Sequence, residues 1–173
     1  MSPYIMSTSD LILRVFVDSI PILPEFSTQI RRIEVESQVN LPSSCEIEFT
    51  DPDLTIPMEC GLDIGNFVEV RAVTGDDAAG EAIFFGQVET LEIQFENSGG
   101  KLSVVRAYDA SHRLLHGQKT MGYPMMSYSE VAEAVGAEHA IVTEAVPHPV
   151  VHEMVVQAND TYWDFLVRLA TEI

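Results

Sequence analysis

The stretch AIFFGQVETLEIQFENSGGKLSVVRAYDA, residues 82–110, decides the fold, because it holds two long β-strand patterns joined by one tight turn. Side chains alternate between the two faces of a strand. The odd positions of the first pattern are apolar, then polar, then apolar again: Ile83 and Phe85, then Gln87 and Glu89, then Leu91, Ile93 and Phe95. This change predicts a bend or bulge marked by Gln87 and Glu89, with Phe85 and Leu91 packed on different sides of it.

The same stretch supplies the residues that such a hairpin needs. Gly86 comes just before the change of face, where a backbone without Cβ bends most easily. Residues 97–100, Asn-Ser-Gly-Gly, favour the positive φ angles of a hairpin connection. The return strand alternates through Leu102, Val104, Arg106 and Tyr108. We therefore predict a long bent hairpin at the centre of a β-barrel.

The composition is that of a globular protein with an extreme acidic balance. The 173 residues include 27 Asp and Glu against 9 Lys and Arg, which gives a formal net charge of −18. This balance argues against binding a nucleic-acid backbone or an anionic membrane, since both need clustered basic residues. Two interpretations of the charge stay open: simple solubility, or a positively charged partner or a lumen through which cargo passes without adhering.

Location and redox state follow from the chain start and the cysteines. The opening MSPYIMSTSD has neither a basic segment nor an apolar run of the signal-peptide type, and no later run is long enough for a membrane span. We expect the chain to be made and kept in the cytoplasm. Cys45 and Cys60 form neither a disulfide framework nor a metal spacing, and Cys45 shares a face with Ile47 and Phe49, which predicts a buried free thiol.

The first 110 residues read as a β domain. Alternating patterns predict six strands and no helix in this part, which favours a small antiparallel barrel or sandwich. The predicted strands are residues 11–17, 30–40, 45–50, 67–73, 82–95 and 102–108. Between them, the irregular segment LTIPMECGLDIG contains Gly61 and Gly65, for which we expect special backbone angles.

The pattern changes after Asp109 to a small α/β segment, residues 111–173. ASHRLLHG predicts a short helical turn, and a capping box at Ser127 and Glu130 begins a helix that Gly136 is expected to end. Short strands are predicted over residues 140–146 and 150–157. A last helix begins near Tyr162, and its apolar stripe runs to Ile173, which indicates that sequence followed it and that the chain is a fragment.

The sequence predicts no catalytic, cofactor or metal site. His112 and His116 have helical metal-ligand spacing, but no third ligand lies near them and Gly117 ends the segment. His148 and His152 span Pro149 in a predicted strand, too far apart for one metal. Most carboxylates alternate outward on strands, although a glycosidase pair stays open because it depends on tertiary structure.

Several phrases together resemble the baseplate hub proteins of contractile tails and injection machines, described as VgrG-like, phage late-control D-like or T4-type hubs. They are EIEFTDPD at 46–53, LDIGNFVEV at 62–70, AIFFGQVETLEIQF at 82–95, AYDASHRLL at 107–115 and VVQANDTYWDFLVRLATEI at 155–173. The residues of these phrases that we assign to the assembly or structural motif are Asp51, Pro52, Asp53, Gly65, Gly86, Asp109, His112, Arg113, Gln157, Asn159, Trp163, Phe165 and Leu166.

The resemblance implies a structural, non-enzymatic protein without cofactors. Such hubs form a homotrimeric ring of two barrel-like domains per subunit, which joins the inner tube to the spike or spike-tip protein and can hold a cargo effector in its lumen. Residues 1–110 correspond to the first barrel and residues 111–173 to the start of a second, so the chain resembles the N-terminal portion of a hub or one piece of a divided hub. Assembly in the cytoplasm would place it in a phage tail, type VI system or extracellular injection particle.

A second class of function stays open. A tail-associated barrel could instead bind glycan or hydrolyse peptidoglycan with its acidic residues. The mass of the native particle separates the two classes, because a hub is a trimer or part of a tube-and-spike particle, whereas a glycan-directed protein is expected to be a soluble monomer.

Overall fold

The computed structural model describes residues 12–74, 77–97 and 99–172. Leu11, Ser98 and Ile173, which belong to predicted elements, lie outside the described residues. The described chain forms two compact units. The first unit contains the described part of Met1–Gln38 together with Ser43–Asp109, and the second contains Val39–Pro42 and the described part of Ala110–Ile173.

The first unit is built on one antiparallel sheet of seven strands. Their order across the sheet is β2-β1-β5-β6-β7-β4-β3. The strands are β1 (Ile12–Val17), β2 (Ile20–Pro21), β3 (Ile30–Glu36), β4 (Ser44–Thr50), β5 (Phe67–Thr74), β6 (Asp77–Phe95) and β7 (Lys101–Tyr108). Two short helices, α1 (Pro24–Ser27) and α2 (Ile56–Glu59), occupy the connections. The mainly β, antiparallel fold class predicted from the alternating patterns is therefore confirmed.

The long strand β6 contains the predicted bulge. Val88 pairs with Ala107 and Thr90 pairs with Arg106, so Glu89 is the extra residue. Before the bulge Phe85 lies opposite Glu69 on the outer face, and after it Leu91 lies opposite Val105, which is 1% exposed in the core. Phe85 and Leu91 therefore lie on opposite faces of the sheet, as the sequence predicts.

A second irregularity in β6 is not apparent in the sequence. Val70 pairs with Phe84 and Arg71 pairs with Ala82, which makes Ile83 an extra residue on the β5 side. The even-numbered Phe84, together with Val88, stays in the core on either side of Gly86. With a further register shift between Ala72 and Thr74, the pairing of β6 is irregular at three places; such irregularities add local twist, and twist lets a single sheet curl around its own core.

The core of the first unit lies on one face of this curled sheet. It is made of alternate residues from five strands and of two residues from the connection after β4. Its fully or nearly buried members are Val15, Val17, Cys45, Ile47, Phe49, Ile56, Leu62, Val68, Val70, Phe84, Val88, Val105 and Ala107. Cys45 is free and buried, as predicted, and burial raises the pKa of its thiol to about 12.

The second unit is a two-stranded sheet packed on two helices. A 3₁₀ helix (Ala110–Leu115) leads to β8 (Lys119–Met126), α3 (Tyr128–Glu138), β9 (His152–Asp160) and α4 (Tyr162–Thr171). β8 and β9 pair antiparallel, with Tyr123 opposite Val155. Both residues join a core with Val131 and Val135 of α3 and Phe165 of α4. No helix in the described part of the chain is long and apolar enough to span a membrane.

Helix α3 begins as predicted but ends later than predicted. Ser127 Oγ accepts from the Glu130 amide and the Glu130 carboxylate accepts from the Ser127 amide, which completes the predicted capping box. Gly136 is buried inside the helix rather than at its end, and Ala140 has the positive φ, 54°. The small residue at 136 instead allows close approach of the following segment, because a Cβ there would lie 3.0 Å from the Ile141 carbonyl oxygen. The prediction that Gly136 ends α3 is wrong.

Some strand boundaries differ from the sequence predictions. Residues 141–151 contain no regular element, so the predicted strand at 140–146 is wrong. The apolar residues there, such as Val142 and Val146, are strongly exposed, and Pro147 and Pro149 remove two ladder donors. The strand that pairs with β9 is β8, with the sequence KTMGYPMM. Gly122 and Pro124 interrupt its alternation of apolar and polar residues, so the sequence does not indicate a strand there. β3 also ends at Glu36 rather than at residue 40.

Candidate assembly surface

The predicted Asp-Pro-Asp motif forms a hydrogen-bonded corner after β4. Asp51 is 1% exposed, and its carboxylate accepts from the Thr55 and Ile56 amides at 3.1 Å each and from Ser103 Oγ at 2.7 Å. The carbonyl of Pro52 accepts from Lys101 Nζ at 2.7 Å, and Asp53 is exposed. Asp51 thus caps the start of α2 and ties it to β7, which is a structural role.

The glycines of the motif lie where the backbone is tightly constrained. Gly65 has a φ of 98°, its carbonyl accepts from Gln87 Nε2 at 2.6 Å, and its amide donates to the Val88 carbonyl at 2.8 Å. A Cβ at Gly86 would lie 2.3 Å from the Tyr108 carbonyl oxygen. Gly61 has a φ of 73°, so the special angles predicted for both glycines of this loop are confirmed. These contacts hold the loop before β5 against the middle of β6.

The remaining motif residues support the two units from within. In the first, the Asp109 carboxylate accepts from the Ser43 amide at 2.7 Å. In the second, Phe165 is fully buried and stacks on Tyr123 at 5.6 Å, with Leu166 packed beside the same core. The other five motif residues of the second unit are described next.

Gln157 is fully buried and donates to the Asp160 carbonyl, whereas Asn159 takes a φ of 57° next to β8. Trp163 Nε1 donates to the Asn40 carbonyl at 3.0 Å within the second unit. His112 and Arg113 are half-buried on the 3₁₀ helix. Most of the assigned motif residues therefore make contacts within one unit, while Asp53 is exposed.

The surface suited to assembly is formed mainly by apolar side chains of β6. The sequence predicts that these side chains lie on the strand, but it does not predict that they are exposed. Phe85 is 57% exposed on the outer face, where its ring stacks on that of Phe67 at 5.5 Å. Beyond the bulge, Ile93 is 52% exposed and Phe95 is 73% exposed on the other face. We call Phe67, Ile83, Phe85, Leu91, Ile93 and Phe95 the β6 surface.

The backbone of β6 is also available for pairing. Residues 77–87 pair with β5 and residues 87–95 pair with β7, and Val88 also exchanges two backbone hydrogen bonds with Gly65 and Asn66 in the loop before β5. Among the described residues, no further strand pairs with β6. Each half of this 19-residue strand therefore carries one edge outside the ladder. Strand edges that no neighbouring strand covers, beside exposed apolar side chains, are typical of sites where another chain adds to a sheet.

Ion pairs cover the outer face of the sheet beside this surface. Arg106 binds Glu46 at 2.7 Å and also Glu92, and its hydrogen bond is the main cause that lowers the pKa of the Glu92 carboxyl. Arg32 makes further contacts with Glu46 and Glu48. Val104 lies between these side chains and is only 1% exposed, although its side chain points away from the core. The outward carboxylates on this face are thus paired, not simply solvated as the alternation alone indicates.

The histidine pairs have ring contacts that their spacing does not reveal. His112 and His116 meet edge to face at 4.9 Å. His148 and His152, expected to be far apart, both stack on Tyr128, at 5.7 and 4.4 Å. Within the described residues, no group of three or more His, Cys, Asp or Glu is arranged to hold a metal.

The fold is that of tail proteins with a hub-like architecture. The 43 kDa tail protein of prophage MuSo2 from Shewanella oneidensis is 13% identical, with a TM-score of 0.67 over 94% of this chain and 48% of that one. The E. coli c3393 protein is a type VI secretion component with structural similarity to the T4 tail proteins gp27 and gp5; it is 14% identical, with a TM-score of 0.60 over 96% of this chain and 41% of that one.

A further match lies in a Francisella PdpA–VgrG complex, at 9% identity and a TM-score of 0.56 over 98% of this chain and 30% of that one. The chain spans less than half of the length of each of these proteins. The resemblance to baseplate hubs is therefore confirmed as a likeness of fold. By sequence, the chain belongs to the family described as the Alg8 N-terminal domain, whose model matches residues 11–172. No curated protein matches the sequence.

Proposed function

We propose that the chain is a structural hub subunit of a contractile injection machine or phage tail baseplate. Three copies form a ring that joins the inner tube to the central spike, and the chain has no catalytic role. The β6 surface carries this proposal, because a strand with apolar side chains on both faces and two edges outside the ladder is suited to contact with a neighbouring subunit.

The division of β6 at Glu89 supports a ring rather than a simple pair. The apolar side chains before the bulge face one side of the sheet, and those after it face the other side. Two different surfaces on one subunit allow a head-to-tail contact, which closes into a ring when the rotation is favourable. A strand with one apolar face would present only one such surface.

The charge supports a partner or lumen role within the same proposal. With a formal charge of −18, acidic side chains that line the ring would repel acidic cargo and attract basic segments of the tube, spike or cargo proteins. A lumen no more acidic than the exterior of the assembled ring would contradict this part of the proposal. The finished particle would be a phage tail, a type VI system or an extracellular injection particle, after assembly in the cytoplasm.

The mass of the chain in solution tests the proposal directly. We expect sedimentation analysis to give a trimer whose formation strengthens with protein concentration. Phe85→Asp and Phe95→Asp should each reduce it to monomer, because each places a charge in an apolar contact. Val142→Asp, at a residue that is 93% exposed on the second unit, is the matched control and should leave the mass unchanged.

Two results would overturn the proposal. One is a chain that stays monomeric at about 100 μM, well above the concentrations at which a specific interface of ordinary size assembles. The other is a monomer that binds or cleaves peptidoglycan fragments, which would favour the glycan-directed alternative.

A further inference from the structure

A second exposed apolar surface lies in the first unit, away from β6. It is a groove of about 260 Å³ between the β1–β2 hairpin, α1 and the residues that follow α2. Ile20 and Leu23 form one wall, with Phe26 beside them, and Glu59 and Cys60 form the other. None of the residues that line it belongs to β6. The proposed subunit contact therefore leaves this groove unexplained.

The fold holds two apolar side chains of the groove in solvent. Ile20 is 69% exposed and Leu23 is 55% exposed. The turn before them uses positive φ at two residues that are not glycine, Asp18 at 47° and Ser19 at 70°. Positive φ at both residues is the geometry of a two-residue hairpin connection, and this connection places Ile20 at the first position of β2. Isolated exposed apolar residues are common, but adjacent ones in a groove are typical of binding sites.

The two chain segments that build the groove carry acidic side chains and no basic ones. Residues 17–29 and 51–66, which build this end of the unit, contain six Asp and Glu and no Lys, Arg or His. Asp18 and Glu59 lie on the groove itself, and both are exposed. An apolar surface with an acidic border is complementary to a segment that combines apolar side chains with Lys or Arg.

We propose that this groove binds a segment of another protein in which apolar side chains alternate with Lys or Arg. The apolar side chains fill the space between Leu23 and Cys60, and the cations lie against Asp18 and Glu59. A second copy of the chain is a poor source of such a segment, because six of its nine Lys and Arg already form ion pairs within the chain. This binding goes beyond the proposed assembly and does not depend on it.

The test uses two capped peptides of eight residues, one of alternating Leu and Lys and one of alternating Leu and Glu, with binding followed by fluorescence anisotropy. We expect the Leu-Lys peptide to bind at least about tenfold more tightly than the Leu-Glu peptide. Glu59→Lys should reduce that preference. Equal binding of the two peptides, or no binding of either, would overturn the proposal.

The variant Ile20→Asp separates the groove from simple attraction to an acidic protein. It removes apolar surface but adds negative charge, so groove binding predicts affinity for the Leu-Lys peptide about tenfold weaker, whereas charge attraction alone predicts equal or tighter binding. Val142→Asp adds the same charge at another strongly exposed residue and should stay within about twofold of the parent. Thermal melting checks that each variant is folded.

The mass of Ile20→Asp is measured in parallel. We expect this mass to equal that of the parent chain, whether the parent is a monomer or a trimer. Loss of peptide binding and loss of trimer formation are therefore measured separately. If Ile20→Asp instead abolishes association of the chain with itself, the groove binds a second copy and the proposal is wrong.

Discussion

Gly86 lies so close to Tyr108 that a Cβ at position 86 would be 2.3 Å from the Tyr108 carbonyl oxygen. The neighbouring Gln87 is the residue at which β6 pairs with both β5 and β7, so the two strands approach β6 most closely at this point. The glycine does not have a positive φ, and its role is the close approach of two backbones. The bent hairpin depends on this contact.

Gly86→Ala should destabilise the chain by about 1–3 kcal/mol, because the new methyl group meets backbone rather than a mobile side chain. Gly100→Ala is the control in the same hairpin. Its Cβ would meet the Glu96 carboxylate, which can rotate away, so we expect a change within about 0.5 kcal/mol. Urea unfolding of the two variants measures the difference in the free energy of unfolding. Equal stabilities would show that the backbones of β6 and β7 can move apart at position 86 without destabilising the fold.

Asp51→Ala should cost about 2–3 kcal/mol of unfolding free energy, because it leaves the Thr55 and Ile56 amides and the Ser103 hydroxyl without their acceptor. Asp53→Ala, two residues away and exposed, should change the free energy by less than about 0.5 kcal/mol. Chemical denaturation compares them. A larger effect at Asp53 would mean that the motif acts through its surface and not through the corner that we describe.

The α3 cap should make stability depend on pH. Hydrogen bonds from the Ser127 amide and hydroxyl lower the pKa of the Glu130 carboxyl. The stabilisation is therefore complete above the unfolded-state pKa, near 4.3, and is lost as the pH falls through the lower folded-state pKa. Glu130→Gln should flatten the acid side of the stability profile between about pH 5 and 3, whereas Glu133→Gln on the same helix should not. A Glu130→Gln profile parallel to that of the parent would contradict this.

Association of the chain with itself should strengthen as salt rises. Copies that each carry a formal charge of −18 repel one another, and screening shortens the range of that repulsion from about 10 Å at 0.1 M to about 3 Å at 1 M ionic strength. Sedimentation at low and high sodium chloride measures the effect. Weaker association at high salt would show that ion pairs, not the apolar β6 surface, hold the copies together.

The fold of the hairpin is predictable from sequence because strand alternation is local. The polar pair at Gln87 and Glu89 marks the region of the bulge, and the helix cap at Ser127 acts within one turn. The strand β8 was missed because Gly122 and Pro124 disturb its alternation, and its residues pair with β9 residues 26 to 41 positions away. Local patterns do not report such distant partners.

The candidate surface is less predictable than the fold. Several motif residues point inward or to neighbouring backbone, as Asp51 and Phe165 do. Exposure of Phe85, Phe95 and Ile20 follows from which strand or loop lies beside them, so a strand pattern reads them as ordinary apolar positions. Their exposure depends on the tertiary arrangement of the neighbouring strands and loops.

By itself, the sequence of residues 82–110 indicated that one strand changes face near Gln87 and Glu89, because strict alternation cannot place all its apolar side chains on one face. Only the tertiary structure decided which strand edges and apolar side chains are left outside the core by this change of face. The pairing of one half of β6 with β5 and of the other half with β7 leaves two edges and six apolar side chains outside the core. Which edges stay unpaired is a property of strand order, and strand order is set by contacts between segments far apart in the chain.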